Sequence, residues 1–261
     1  MRASHHCAGP AARAGYRVPA GRGPARGDGS GVHDEHTDSA TVAPGGRTWA
    51  VVVPVKDARH GKTRLSAVLA AGHRADLVRA MALDTVEAAL ACDRVARVLV
   101  VTADPAVAEE ASRLRRVTVV GEPSHTGRRS GLDAAVLAGA AAARRDRPAP
   151  VAVLLGDVPA LQPSDLGDAL TAADGVDRGL VADAPGTGTT VLTVGPSAEL
   201  EPRFGRGSAA AHRALGHVPL DVPEASTLRR DVDVPADLRA AAALPLGPRT
   251  TALIARLPGL V

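Results

Sequence analysis

Two lysines and a few aspartates carry the chemistry that this sequence suggests. Of its 31 basic residues all but two are arginine, and the exceptions are Lys56 and Lys62. Both lie in residues 49–65, WAVVVPVKDARHGKTRL, together with Arg59, His60 and Arg64. In a chain so rich in Ala, Arg, Gly and Pro, arginine is the default base. A lysine kept against that background points to a compact ammonium with three rotatable donors, which a planar guanidinium does not imitate. The β-branched run Val51, Val52, Val53, Val55 predicts a strand buried on both faces, breaking at Pro54 and emptying into the basic loop. Open α/β sheets bind ligands at the carboxyl ends of their strands, so the loop reads as an anion site. A solvated basic loop is the plainer alternative.

The aspartates form the second group. Asp157 follows the apolar run VAVLLG directly, which places it at the carboxyl edge of a sheet. Far along the chain, RRDVDVPADL sets Asp231 and Asp233 two apart, and in an extended segment that spacing puts both carboxylates on one side. Three converging carboxylates would hold Mg²⁺, a hard ion that takes oxygen ligands together with substrate phosphates. The competing reading pairs Asp231 with Arg229 or Arg230 at the surface and makes Asp237 a helix-start acid.

Three glycine-containing stretches complete the set. Gly61-Lys62-Thr63 imitates the end of a P-loop, and VAVLLGD imitates the strand and aspartate that go with it. The first P-loop glycine is missing, however, because Lys56 stands there. GTGTTVL (186–192) is followed by RFGRGSAAAH (203–212), in which Gly205, Gly207 and Ser208 precede an alanine-rich helix. That arrangement suggests free N–H groups and a Ser cap offered to a phosphate or carboxylate, with Phe204, the one phenylalanine, as a wall. An ordinary Gly-Ser turn is the alternative. Ser130-Gly131-Leu132-Asp133 opens another helix. The Asp133 carboxylate could accept from the N–H groups of guanine, or it could simply favour the helix dipole.

These residues need a scaffold, and the remaining sequence predicts one. Strands are expected at 95–102, 117–120, 151–155, 179–184, 189–194 and 218–222, with 179–184 and 189–194 close enough to pair. Helices are expected within 65–92 (two, split near Gly72), from Asp104-Pro105 onward, and at 131–145, 163–173, 208–215 and 235–243. Alternating strands and helices argue for one α/β domain with a mostly parallel sheet covered on both faces. With three aromatics in all (Tyr16, Trp49, Phe204) the core must be Val, Leu and Ala. Residues 1–48 hold nine Gly, four Pro and six Arg but only Val18, Val32 and Val42 as branched aliphatics, so they are expected to be a disordered extension before a domain at 49–261. The net charge of +3 hints at anionic ligands. Dispersed arginines without aromatic partners do not make a nucleic-acid surface. Cys7 and Cys92 give neither a disulfide framework nor a zinc site, and no apolar run suits a membrane helix, so a cytoplasmic protein is expected.

Taken in order, PVKDARHGKTRL, SGLDAA, LLGDVPAL, GTGTT, RFGRGS and RRDVDVPADL resemble the phosphoenolpyruvate/2-phospholactate guanylyltransferases of deazaflavin coenzyme (F-420) biosynthesis, the CofC/FbiD family. The resemblance spans about 49–243. It implies a Rossmann-like three-layer α/β/α sandwich of the nucleotidyltransferase type with a mostly parallel mixed sheet. The implied reaction joins GTP and phosphoenolpyruvate into enolpyruvyl-diphosphoguanosine and pyrophosphate. By the same matching Asp157, Asp231 and Asp233 hold Mg²⁺, and Thr190, Gly205 and Ser208 contact phosphoenolpyruvate. Pro54, Lys56, Lys62, Gly131, Leu132 and Asp133 lie at the nucleotide, and Lys56, Lys62 and Arg64 serve catalysis. The family tends to have Asn where this chain has Asp133. A homodimer is implied. The rivals are the same reaction on 2-phospho-L-lactate or 3-phosphoglycerate, a P-loop NTPase or kinase, and a non-catalytic nucleotide-binding protein.

Overall fold

A computed structural model describes residues 46–60, 62–124 and 130–257. The expectation of a disordered extension at 1–48 lies outside the described residues, apart from 46–48. Among the described residues seven strands form one sheet: β1 (Trp49–Val55), β2 (Val95–Thr102), β3 (Val117–Gly121), β4 (Val151–Leu154), β5 (Arg178–Ala182), β6 (Thr189–Val194) and β7 (Val218–Pro219). Their order is β3-β2-β1-β4-β6-β5-β7. Only β6 runs against its neighbours. The helices are α1 (Ala71–Ala91), α2 (Pro105–Ser112), α3 (Gly131–Ala143), α4 (Pro163–Ala173), α5 (Ser208–Ala214), α6 (Pro235–Ala242) and α7 (Pro248–Ala255).

All seven residues of β1 are buried, and the alternation of its side chains sorts the layers. Trp49, Val51, Val53 and Val55 pack with Leu83 and Val86 of α1, Val107 of α2 and Leu166 of α4. Ala50 and Val52 pack with Ala135, Val136 and Ala140 of α3. This is the three-layer sandwich, with β1 at its centre and the order reversing between β1 and β4. The crevice beyond the carboxyl ends of those two strands is where such a sheet takes ligands.

Several local expectations are corrected. The strand does not break at Pro54, which is buried and pairs with Val101. Ala50 N–H points to the β4 side, bonding Pro150, so by alternation the position of Pro54 also faces β4. The β1–β4 ladder has already ended at Val52 and Val153, and the missing N–H therefore costs no bond. Residues 65–92 are not two helices. A 3₁₀ turn at Thr63–Ala67 precedes a single 21-residue helix, with Gly72 in its first turn. β5 stops at Ala182 and β7 spans two residues, shorter than their apolar patterns suggest.

Helix α7 was not anticipated. Its start, PLGPRT, reads as loop because its cap comes from elsewhere: Asp84 of α1, 3% exposed, accepts from Arg249 N–H (3.1 Å) and Thr250 N–H (2.7 Å). Gly247 N–H donates to Pro159 C=O at 2.8 Å, which ties this last helix to the loop after β4.

Glycine also sets the α3 spacing. A Cβ on Gly139 would lie 2.4 Å from Val52 Cγ1 and 2.8 Å from Val101 Cγ2. Gly139→Val should therefore push α3 off the sheet and cost roughly 1–3 kcal/mol. Thermal denaturation checks this; an unchanged melting temperature would contradict the close packing.

Candidate active site

The loop after β1, the loop after β4 and the segment before α6 meet at this carboxyl edge. Asp157 follows β4 through Leu155, whose N–H bonds Thr190 C=O (3.1 Å), and Gly156, which lies against Val53 and Val55 of β1. Val232 N–H donates to Asp157 C=O at 2.9 Å, which docks the distant DVD segment beside it. Val232 is fully buried among Leu65, Leu77, Met81 and Leu238. The alternation of an extended segment then turns Asp231 and Asp233 the other way. One oxygen from each of Asp157, Asp231 and Asp233 lies within 4.8 Å of the others. The sequence spacing is thus realised, and the surface alternative for Asp231 is not: Arg229 and Arg230 bond the carbonyls of Asp183 and Glu224. Asp237 does act as the helix-start acid, its Oδ2 accepting from Asp233 and Val234 N–H at 2.9 Å each.

Lys62 lies against this cluster. Its Nζ donates to both Asp157 Oδ2 and Asp233 Oδ1, and its backbone is left-handed (φ 47°, ψ 45°). Burial works against the ammonium, but the charges of Asp157 and Asp233 outweigh it, so the Lys62 pKa is raised. Asp231 has no share in these ion pairs. Its carboxyl is pushed up to about 7, first by burial and then by the charges of Asp157, Asp233 and Asp183, which Lys62 only partly offsets. Asp157 Oδ1 is buried without a hydrogen-bond partner among the described residues. An all-oxygen donor set with one orphaned oxygen fits a hard divalent cation, and this acidic triad could bind one.

A stability consequence follows for the metal-free protein. A carboxyl whose folded pKa exceeds its unfolded value stabilises the fold below about pH 4, and that contribution is lost as pH rises through about 7. The span is worth on the order of 4 kcal/mol. Buried His212, pushed down to about 4, acts in the opposite sense, its contribution being present above about pH 6.5 and lost toward 4. The clean readout is therefore the difference between wild type and Asp231→Asn in chelator. The variant should gain relative stability as pH rises from about 4 to about 7, and parallel curves would contradict the assignment.

The second constellation assembles around residues 203–208. Gly205 (φ 124°) and Gly207 (φ 75°) take backbone conformations that other residues rarely adopt. Arg203 N–H donates to His212 Nε2 (2.9 Å) and Phe204 N–H to Asp133 Oδ1 (2.9 Å). Thr189 Oγ1 lies 3.0 Å from His212 Nδ1 and accepts from Ser208 Oγ (3.2 Å). Two expectations change here. Ser208 is not a cap: it is the first residue of α5, after Gly207, and its hydroxyl is turned inward. Nor are the first N–H groups of α5 all free, since Ser208 N–H bonds Gly205 C=O and Ala209 N–H bonds Thr187 C=O. Phe204 is core, 9% exposed, with its ring edge-on to His212 at 5.0 Å.

The other candidates are placed less centrally. Lys56 and Arg64 are exposed at the loop after β1, and Pro54 is buried within the strand. Thr190 is fully buried, its hydroxyl 3.5 Å from Val181 C=O. Gly205 is exposed and Ser208 buried. Gly131 and Leu132 are half-buried in the first turn of α3, and Asp133 is 6% exposed with Oδ1 already engaged.

Two organising residues were missed. Asp183 accepts from Thr187 and Gly188 N–H at 2.8 Å each, folding the GTGTT turn, and no local pattern marked it. Asp104 was read only as the α2 cap. It does cap Ala106 and Val107, but it also accepts from Ala58 N–H (3.2 Å) and pairs with Arg79 (3.0 Å). That carboxylate, fully buried, anchors the basic loop where it leaves β1.

Residues 49–217 match the family described as "Guanylyl transferase CofC like". The chain belongs to this family. It is 47% identical over 244 residues to the phosphoenolpyruvate guanylyltransferase of Sanguibacter keddieii, covering 80% of this chain and 85% of that protein. With the protein of that name from Thermomonospora curvata it shares 49% identity over 212 residues, 81% of this chain and 90% of the relative. The fold matches a putative nucleotide-diphospho-sugar transferase from Desulfovibrio desulfuricans G20, with a TM-score of 0.63, 16% identity and coverage of 82% and 96%. The chain is thus a nucleotidyltransferase of the CofC-like guanylyl transferases, and the P-loop and non-catalytic readings are not favoured. Asp231 and Asp233 lie beyond the matched 49–217, yet the fold returns them to Asp157. Among the described residues no helix is long and apolar enough to cross a membrane.

Proposed function

We propose that this protein transfers the guanylyl group of GTP to phosphoenolpyruvate, releasing pyrophosphate. The observation that carries the reading is the convergence of Asp157, Asp231, Asp233 and Lys62 in a family of guanylyl transferases whose relatives carry the phosphoenolpyruvate name. A phosphate oxygen of the acceptor attacks the α-phosphorus of GTP, a new P–O bond forms, and the bond to the bridging oxygen of the leaving pyrophosphate breaks. Both reactants are anions, so the demand is for positioning and charge neutralisation rather than for a strong base.

In this reading Asp157, Asp231 and Asp233 hold Mg²⁺, which supplies charge neutralisation at the triphosphate when bound. Lys62, now between two carboxylates, exchanges them for phosphate oxygens, and exposed Lys56 and Arg64 add cationic charge at the mouth of the loop. The first turn of α3, with Gly131 and Leu132, borders the nucleotide. Gly205 and its neighbours face the phospho-acid, over Thr190 and Ser208. The N–H groups of Gly205, Arg206 and Gly207 have no partner among the described residues, and consecutive N–H groups at positive-φ glycines suit an anion.

Pyrophosphate release measured with GTP and each of phosphoenolpyruvate, 2-phospho-L-lactate and 3-phosphoglycerate tests the proposal. Release should depend on both substrates and be fastest with phosphoenolpyruvate. Faster release with either other acid would reassign the acceptor.

A further inference from the structure

The loop 203–207 uses its first two backbone N–H groups on buried side chains from two different elements. Arg203 N–H goes to His212 of α5 and Phe204 N–H to Asp133 of α3, both at 2.9 Å. His212 is fully buried and Asp133 is 6% exposed. Because His212 Nε2 accepts, its proton sits on Nδ1, which donates to Thr189 Oγ1 at 3.0 Å. Thr189 also accepts from Ser208 Oγ. The far end of the loop is fixed by Ser208 N–H on Gly205 C=O and Ala209 N–H on Thr187 C=O. Between these anchors lie Gly205 at φ 124° and Gly207 at φ 75°, a stretch whose glycines would otherwise sample many conformations. The next three N–H groups, of Gly205, Arg206 and Gly207, stay unpaired among the described residues.

We propose that Asp133 and His212 are positioning residues that clamp the entry of the 203–207 loop, so that its remaining N–H groups are pre-aligned for the phosphate or carboxylate of the acceptor. This rests on the proposed acceptor site at that loop. It gives Asp133 a task other than reading guanine, since its Oδ1 already accepts from a backbone donor. A carboxylate makes a stronger, charge-assisted bond there than a neutral acceptor, and an amide oxygen can still occupy the same place. Neither residue touches the reacting atoms. Each acts through the loop it holds, and a preset loop lowers the ordering cost of binding.

The test compares Asp133→Ala, which removes the acceptor, with Asp133→Asn, which keeps an oxygen facing Phe204 N–H. Steady-state kinetics are run with GTP and phosphoenolpyruvate varied in turn, and hydrogen exchange of the 203–208 segment is followed without ligands. The expected result for Asp133→Ala is a KM for phosphoenolpyruvate raised about tenfold or more, a KM for GTP within about twofold of wild type, and faster exchange at 203–208. Asp133→Asn should return KM and exchange to within about threefold. A rise confined to the KM for GTP would assign Asp133 to the base and overturn the proposal, as would unchanged exchange in Asp133→Ala or an Asn variant as impaired as Ala. If Asp133→Ala does not fold, His212→Gln and His212→Asn carry the same contrast. Glutamine places an amide oxygen near the Nε2 position facing Arg203 N–H, whereas asparagine falls short, and equal exchange in the two would overturn the clamp. Failure of the wild-type protein to use phosphoenolpyruvate would refute the acceptor assignment alone, because the exchange comparison needs no substrate.

Discussion

Asp157→Asn is expected to lower turnover by about 10²–10³-fold, and Asp233→Asn by a comparable factor, the scale seen when one preorganised electrostatic partner is removed from a transition state. Each change takes an anionic oxygen from a set of three that lie within 4.8 Å and weakens the site for a divalent cation. The effect on the metal-free fold should be small, within about 1 kcal/mol, because two changes oppose. Repulsion among the carboxylates is relieved, but an ion pair with Lys62 is lost. Asp231, outside those ion pairs, is the position where neutralisation stabilises. A purely structural role for Asp157 predicts the opposite pattern, with near-normal turnover and the loss confined to melting temperature. Pyrophosphate release and chelator-treated melting curves on both variants separate the two.

Lys62→Arg should be nearly as damaging as Lys62→Ala, each losing about 10²-fold in turnover. Lys62 Nζ reaches two carboxylates at once, and its side chain is 13% exposed. A guanidinium in that space would pair as a planar fork with one carboxylate and remain there, being bulkier and held by two parallel bonds. It would compete with the cation for the aspartates instead of passing to the phosphates. Single-turnover rates with saturating GTP and Mg²⁺ decide the matter. Wild-type rates in the arginine variant would show that any cation suffices, and that the survival of lysine in this arginine-rich chain carries no chemical meaning.

The sequence was most informative where chemistry and local pattern coincide. The β1 run announces a doubly buried strand because nothing else needs four β-branched residues in five. Asp157 is marked by the apolar strand before it, and Asp231 and Asp233 by a spacing whose middle residue, Val232, is the one that enters the core. What escaped were partnerships formed across the chain. Lys62 joins Asp157 and Asp233 over separations of 95 and 171 residues, and no local window contains such a contact. Helix α7 was hidden because Asp84, in the middle of α1, supplies its cap. Asp104 looked complete as the cap of α2, although its carboxylate also holds Ala58 N–H. Phe204 was read as a wall because the one phenylalanine of the chain lies inside the glycine motif, yet its ring is buried edge-on against His212. In each case tertiary contacts decided between readings that local pattern left equivalent.

The most direct test of the account is the identity of the product. The wild-type protein is incubated with GTP, phosphoenolpyruvate and Mg²⁺, and the mixture is analysed by mass spectrometry. The account predicts a guanosine diphosphate diester carrying the enolpyruvyl group, formed in equal amount with pyrophosphate and absent when chelator replaces Mg²⁺. GDP with inorganic phosphate, or unchanged substrates under conditions where the protein is folded, would contradict it.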